Sequence, residues 1–406
     1  LHAQAPRFAD AVDDATQVLD LIERRLSLMP EVAAWKWRAQ QPVLDAERER
    51  QVLEQSIAAA EDIGLDGASA RRFFAVQISM ARNIQSYSIE RWRNQKPDQI
   101  PVGRDLATEL RPALDAIGRD LLSAVYLASA SLPLALQDHR VLDRLNRMKQ
   151  YGGIDGTQLS ELRSALAAIH IKGPATLSRV KRIGVLRVGT TGDYAPFSNE
   201  HDNVLSGFDI ELARGLAKYL GVSIKFVRTA WPTLMEDFQQ HRFDIAMSGI
   251  SITPDRVSHA SFSLPYHADG KTPIARCKDA AKFATLEQID RQGVRVIENP
   301  GGTNERFARE HLKQATLIVH ADNRTVFERL LAHQADVMFT DGIEVDLQVR
   351  RHPELCRTMF APLTVANKAI MLPSQEWEMA VNTWLLPQVE SGQIRAGLER
   401  ALVEAP

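Results

Sequence analysis

The chain is short of cysteine, of aromatics and of any charge excess, and each shortage removes a class of function. Two cysteines, Cys277 and Cys356, occur in 406 residues, and neither belongs to a CxxC pattern. With no HExxH and no His-rich cluster either, no metal site is implied. GxGxxG and P-loop signatures are also missing, so no cofactor is expected. A net charge of −2 gives no electrostatic case for nucleic acid or an anionic membrane as partner. No apolar run approaches the roughly 18 residues of a membrane helix. Residues 121–136 come nearest, and Ser and Pro133 interrupt them. The two cysteines leave two readings: a disulfide in an oxidising compartment, or a pair of inert buried thiols in the cytosol. We expect the disulfide, as a staple with no chemistry of its own. Ala3-Gln4-Ala5 has the A-x-A form of a signal-peptidase site, so a periplasmic protein with its signal peptide removed is expected. A cloning remnant is the alternative.

What is present is ordinary for a folded protein: 45% hydrophobic and 25% charged residues, in a chain long enough for two or three domains. Its character changes near residue 172. Before it, residues 8–29, 31–41, 46–63, 69–94, 104–128, 138–150 and 157–170 place apolar side chains at three- and four-residue spacing. Pro30, Pro42, Gly64, Pro97, Pro101, Pro133 and Gly152-Gly153 punctuate these helical periods. After it, short β-branched runs at 183–189, 222–228, 244–249, 272–277, 294–298, 316–320 and 336–340 alternate with helical patterns, which predicts parallel strands with crossover helices. The expected organisation is an all-α domain over 1–172, a linker over 173–182 and an α/β domain over 183–406. The latter splits into one lobe from 183–270 and 365–406 and a second from 271–364. Two crossovers, near 268–272 and 363–368, would form a hinge.

Lysine is scarce in the helical half. Three lysines stand against eighteen arginines before residue 170, and one of them, Lys36, lies between Trp35 and Trp37 in VAAWKWRAQQP. Flanking tryptophans would desolvate its ammonium and strengthen its grip on an anion. Arg25 lies eleven residues earlier, within about 20° of a whole number of helical turns, so both cations share a face if Pro30 only kinks the helix. Asp45, also a natural N-cap, and Arg48 begin the next helix. Gln77, Ala81 and Gln85 follow a four-residue stripe among Phe74, Ile78 and Ile84, which suggests a polar pocket inside the helices. Taken singly, an arginine here is a solvated surface charge and a glutamine is paired with a neighbour; the set carries the reading.

VAAWKWRAQQP, QISMARNIQSYSIERW (77–92) and LRPALDAI (110–117) resemble the exported, all-helical class of chorismate mutase. The resemblance carries the family's pocket onto Arg25, Lys36, Arg48, Gln85 and Arg111, with Asp45 beside them. One departure is Gln85, where some exported mutases have Glu; another is Ala81, which replaces a pocket hydroxyl. The implied chemistry fits these residue types. Rearranging chorismate to prephenate needs no nucleophile, base or metal, only a compact dianion and stabilised charge on the ether oxygen. Arginine forks suit the two carboxylates, and Lys36 and Gln85 would donate to the ether oxygen.

In the second half, NPGGTNE (299–305) sets an acid, Glu305, where a small-molecule receptor offers neutral donors. Around it, GTTGDYAPFS, AMSGIS, DGKTPI, NPGGTNE and HPELC recur in the order found in cyclohexadienyl dehydratases, which resemble two-lobed solute-binding proteins. The resemblance implies a type II periplasmic-binding-protein fold that dehydrates and decarboxylates prephenate or arogenate. It makes Glu305 the general acid, with its pKa raised by burial in a closed cleft. Arg256 would bind a carboxylate, with Ser248, Gly249, Ser251, Thr303 and Asn304 as supporting donors and contacts. Asp341 falls where receptors bind an ammonium, which suits arogenate. Lys271 would orient Glu305 or neutralise the departing carboxylate, while Asp193, Tyr194 and Trp231 line the first lobe. The competing reading is a periplasmic binding protein for an amino acid or keto acid, with a helical module for partner contact. Glu305 speaks against it, since an unpaired acid facing a dicarboxylate weakens plain binding. Small-molecule substrates are the expected partners, and a homodimer is the oligomeric candidate.

Overall fold

The protein was analysed as a computed structural model, which describes residues 5–94, 100 and 103–405. Ala3 and Gln4 of the A-x-A motif, and the loop prolines Pro97 and Pro101, lie outside the described residues. The chain divides into two compact units, Leu1–Gly173 and Pro174–Pro406.

The first unit is helical. Helix Ala5–Ser27 buries Ala11, Val12, Ala15, Val18, Leu19, Ile22 and Leu26 along one stripe, against helix Arg111–Ala128. Pro30 does not kink a continuous helix. It stands in the first turn of a separate helix, Met29–Arg38, where its missing N–H costs no hydrogen bond. Helix Gly67–Arg93 packs against Met29–Arg38, Ala46–Asp62 and Gly156–Ala168. Aspartates cap four of these helices: Asp45, Asp66, Asp138 and Asp155 each accept a backbone N–H of the first turn. A π-helical turn, Leu106–Leu110, runs straight into helix Arg111–Ala128; such turns recur at functional sites because they re-aim the side chains beside them.

Where the sequence suggests a linker, the structure has contacts and a helix. Ile171 bridges to Leu65, and the Lys172 N–H donates to the Gly64 carbonyl at 2.8 Å. Helix Leu177–Ile183, capped by Thr176, then opens the second unit, and Trp377 Nε1 donates to the Ala175 carbonyl at 2.8 Å.

The second unit holds two five-stranded sheets. In the first lobe the order is Ser223–Arg228, Val185–Thr190, Ile245–Ala246, Met371–Leu372, Ser261–Phe262. In the second it is Thr316–Val319, Arg295–Glu298, Val337–Asp341, Lys271–Arg276, Leu355–Arg357. The first three strands of each sheet are parallel and joined by helices. Strand Lys271–Arg276 departs from the all-parallel expectation: it pairs antiparallel with Val337–Asp341 and Leu355–Arg357. The chain enters the second lobe through this strand directly from the hinge, with no crossover helix to reverse its direction. The hinge is a two-stranded ribbon of His267–Asp269 and Ala366–Lys368, and Met371–Leu372 returns to the first sheet. Cys277 and Cys356 form a disulfide within the second lobe, their Cα atoms 4.7 Å apart.

Candidate active sites

In the helical unit, Arg25, Lys36, Asp45, Arg48, Gln85 and Arg111 all line one cavity of about 400 Å³. Four helices, and Arg111 where the π-turn runs into a fifth, bring them together from positions up to 86 residues apart in sequence. The walls are apolar (Met29, Val32, Val52, Phe74, Ile78 and Leu106 among them), so the cations act in a medium of low polarity. Burial pulls the Arg25 and Lys36 pKa values down. Among the described residues, Arg25 Nη1 is buried with no hydrogen-bond partner, and so is Gln85 Oε1. Both residues line the cavity, so a ligand there can engage these groups. Lys36 Nζ donates to the Val43 carbonyl at 2.8 Å and has two further protons to offer. Gln85 Nε2 donates to the Ala81 carbonyl at 3.2 Å and lies 3.6 Å from Met29 Sδ.

Two details correct the sequence reading, and one, the Asp45 cap, matches it. Lys36 owes its burial to the cavity and not to its tryptophan neighbours, because adjacent side chains on a helix point apart; Trp37 packs with Ala33, Ala34 and Trp92 and faces Arg93 at 5.8 Å. Asp45 spends one carboxylate oxygen on the Arg48 backbone N–H at 3.0 Å, as the helix cap. Gln77 is fully buried but lies outside the cavity lining. The sequence also gave no notice of Glu49, Arg82, Asp115 and Arg119 on the wall, of which Glu49 and Arg82 pair at 3.0 Å. Six cations and three acids then face the cavity, which suits a dianion.

In the second unit the two lobes close on a cleft with about 30 Å³ left inside, room for a water molecule. Tyr194, Trp231, Gly249, Ser251 and Arg256 line it from the first lobe, and Asn299, Gly302, Thr303, Asn304, Asn323 and Asp341 from the second. Interlobe bonds hold it shut: Tyr194 Oη to Asp341 Oδ2 at 2.5 Å, Asn323 Nδ2 to the Asp193 carbonyl at 2.9 Å, and Arg306 to Asp255 at 2.5 Å. A ring-sized substrate enters only when the lobes part about the hinge ribbon. Arg256 is buried, donates Nη1 to the Ser251 carbonyl at 2.8 Å and lies 6.0 Å from the Trp231 ring. Burial lowers its pKa to about 10, so it stays charged at neutral pH.

The cleft departs from the sequence reading at six residues. Glu305 is not a buried, protonated acid. Its Oε2 accepts the Gly301 N–H at 2.7 Å and its Oε1 pairs with Arg309 at 2.6 Å, and the Gly301 bond leads in holding its pKa below the usual range. Lys271 reaches Asp341 at 2.7 Å and Asn304 Oδ1 at 2.5 Å, not Glu305. Asp341 is not open to an ammonium; two lysines hold it. Ser248 lies behind the lining, its Oγ bonded to the Thr191 and Ser198 hydroxyls. The Gly249 N–H is already given to Asp209 at 2.6 Å. Gly249 has φ +62°, and a Cβ there would meet Phe197 at 2.5 Å and Tyr194 at 2.7 Å, so this position requires glycine. Asp193 sits behind Trp231, whose Nε1 donates to it at 3.1 Å, and burial raises its pKa to about 6.

Residues 186–401 match the bacterial extracellular solute-binding proteins, family 3. The chain belongs to that family. Residues 9–86 match chorismate mutase type II, so this solute-binding protein carries a mutase-type domain ahead of its clamshell. The cyclohexadienyl dehydratase of Pseudomonas aeruginosa is 49% identical over 251 residues, which span 59% of this chain and 94% of that protein. The L-cystine-binding protein of Escherichia coli K12 is 26% identical over 55% of this chain and 85% of its own length. Among solved structures, an ancestral amino acid-binding protein described as a precursor of cyclohexadienyl dehydratase aligns with a TM-score of 0.52 and 32% identity, covering 56% of this chain and 100% of that one.

The solute-binding unit also holds a residue that the sequence reading passed over. Lys368, in VANKAIML, is 1% exposed on the hinge ribbon and points into the cleft lining. Its only sequence signal is a lysine inside an apolar run. Behind the cleft, burial also raises the carboxyls of Glu298 and of Glu344, the latter to about 8, and Glu344 bonds the Thr340 hydroxyl.

Proposed function

We propose that the protein is a bifunctional enzyme: a chorismate mutase in the helical unit, and a prephenate or arogenate dehydratase in the solute-binding unit. The observation that carries the reading is the convergence of Arg25, Lys36, Arg48, Gln85 and Arg111 on one cavity, a set that a transport receptor has no use for. The 49% identity to a cyclohexadienyl dehydratase supports the second activity.

In the mutase, arginine forks hold the two carboxylates of chorismate in a compact chair. The ether C–O bond breaks as a new C–C bond forms, with no proton transferred. Lys36 and Gln85 donate to the ether oxygen as its charge grows, and the dry walls strengthen both bonds. In the dehydratase, a proton goes to the ring hydroxyl, water leaves, and the ring carboxylate departs as carbon dioxide while its electron pair completes the aromatic ring. Arg256 holds the side-chain carboxylate. Glu305, in the first turn of helix Thr303–His311, acts as proton donor, and must release Gly301 and Arg309 to do so. A second assignment rests on one observation: Asp193 already carries a pKa of about 6 beside the cleft.

The disulfide and the extracellular family favour a periplasmic location, after removal of a signal peptide. Chorismate and prephenate are the ligands in this reading, with no nucleic-acid or membrane partner. Its homodimer is checked by light scattering. Incubating the full chain with chorismate tests the whole proposal: prephenate should rise and fall while phenylpyruvate accumulates. Capture of an amino acid or keto acid without turnover would instead establish a binding protein.

A further inference from the structure

We infer that Asn323 is the acceptor that seats the leaving hydroxyl of the dehydratase substrate and turns that group's lone pairs toward the proton donor. The inference rests on the dehydratase reading, which supplies the substrate; the acceptor is a feature of the cleft itself.

Asn323 stands in HADNRTVF, in a single 3-10 turn ahead of helix Val326–Leu331, and lines the cleft from the second lobe. The residue is 7% exposed, and the two ends of its amide are in different situations. Nδ2 donates across the cleft to the Asp193 carbonyl at 2.9 Å. A carbonyl oxygen can only accept, so this bond fixes which way the amide is turned. Oδ1 is left buried without a partner, the one such side-chain atom among the described residues that line the cleft. Neighbouring acceptors are already committed. Asn304 Oδ1 receives Lys271, Asn299 Oδ1 receives the Asn304 amide, and Asp341 receives Lys271, Lys368 and the Tyr194 hydroxyl. A buried acceptor left unmade is costly, so the ligand that fills this cleft is expected to bring Oδ1 a donor.

The chemistry of the substrate names that donor. Both carboxylates of prephenate are ionised at neutral pH and its keto oxygen carries no hydrogen, so the ring hydroxyl is its only donor. Arogenate carries the same hydroxyl at the same ring position. By giving its hydrogen to Asn323 Oδ1, the hydroxyl points its oxygen lone pairs away from the amide, where an acid can protonate them. As the C–O bond breaks, the departing water still has hydrogens for Oδ1, so the seat stays satisfied through the step. The aromatic product has no ring hydroxyl and asks nothing of Asn323.

That difference between substrate and product supplies the test. In the full-length protein, wild type and Asn323→Ala are compared for kcat/KM with prephenate, from initial rates, and for the Kd of phenylpyruvate, by calorimetry. We expect kcat/KM to fall at least tenfold while phenylpyruvate binds within twofold of wild type, which also shows that the variant cleft is folded. A smaller loss of kcat/KM would overturn the inference. So would phenylpyruvate binding weakened more than twofold, since Asn323 would then be only a latch between the lobes. If the wild type binds prephenate without converting it, the dehydratase reading fails, and the Kd of prephenate replaces the rates and decides this inference by the same tenfold criterion. If the wild type does not bind prephenate, both fall.

Discussion

The proton donor of the dehydratase can be identified from a pH profile, because the two candidate carboxyls sit in opposite electrostatic settings. Glu305 is held ionised by the Gly301 N–H and by Arg309, below the 4.5 of an ordinary glutamate. Less than about 0.3% of it carries a proton at pH 7. Asp193, shielded behind Trp231, titrates at about 6, so roughly a tenth of it is protonated at the same pH. A required acid makes kcat/KM proportional to its protonated fraction in the free enzyme. With Glu305 as donor, activity should therefore climb about tenfold for each unit of acidification from pH 8 down to 5, with no plateau in between. With Asp193 it should climb only to about pH 6 and then level off. The sign is the same and the break is what differs.

The assay is phenylpyruvate formation from added prephenate, whose carboxylates stay ionised over this range. For Glu305 we expect the unbroken slope in the wild type. Asp193→Asn should retain that slope, while Glu305→Gln should lose it along with roughly 100-fold or more of turnover. The Glu305 variant should still bind prephenate through Arg256, and its mutase should be unchanged, so that chorismate ends as prephenate. A wild-type break near pH 6 that survives Glu305→Gln and vanishes in Asp193→Asn would refute the assignment and move the role to Asp193.

Other outcomes follow from the same geometry. Lys36→Ala should lower mutase kcat by about 100-fold or more, the scale of a lost oxyanion donor, and leave dehydration of added prephenate intact. Gln85 donates at any ordinary pH, so the mutase should be steady between about pH 5 and 8; Gln85→Glu must be protonated to donate and should decline as pH rises, and a flat profile in that variant would remove Gln85 from the site. Arg256→Ala should raise the dehydratase KM far more than it lowers kcat, read from initial rates. Asp244→Ala removes the carboxylate that Arg187, 1% exposed, pairs with at 2.6 Å; denaturant titration should show a loss of about 3–5 kcal/mol in the second unit.

Much of this was legible in the sequence because it is local. Helical periods located the eight-residue-and-longer helices of the first unit to within a few residues, since an amphipathic stripe is a property of neighbours along the chain. The cationic set was legible for a related reason: Arg25 and Lys36 are close in sequence, and both reach the cavity although Pro30 starts a new helix between them. Strand direction was less accessible. Lys271–Arg276 reads like its parallel neighbours, and only its arrival from the hinge turns it antiparallel.

The charge state of the cleft could not be read at all, and the reason is physical. A side chain's protonation depends on partners gathered by the fold from distant segments. Glu305 looked like a raised acid within NPGGTNE, yet Gly301 four residues back and Arg309 four residues on hold it ionised through contacts that only the helix start creates. Asp341 looked like a receptor's ammonium site within FTDGIE, yet its partners come from position 271, at the first crossover, and 368, at the second. Both lysines sit where the chain passes between the lobes, so the hinge that allows closure also delivers the cations that pair with Asp341 in the closed cleft. This link makes a further demand on the mechanism. When the lobes part, the Tyr194–Asp341 bond must break while Lys271, next to Asp341 in the antiparallel register, stays with the second lobe. Lys368, at the end of the ribbon, is then the one cation of the cluster whose contacts, Ser251 on one side and Asp341 on the other, span the opening.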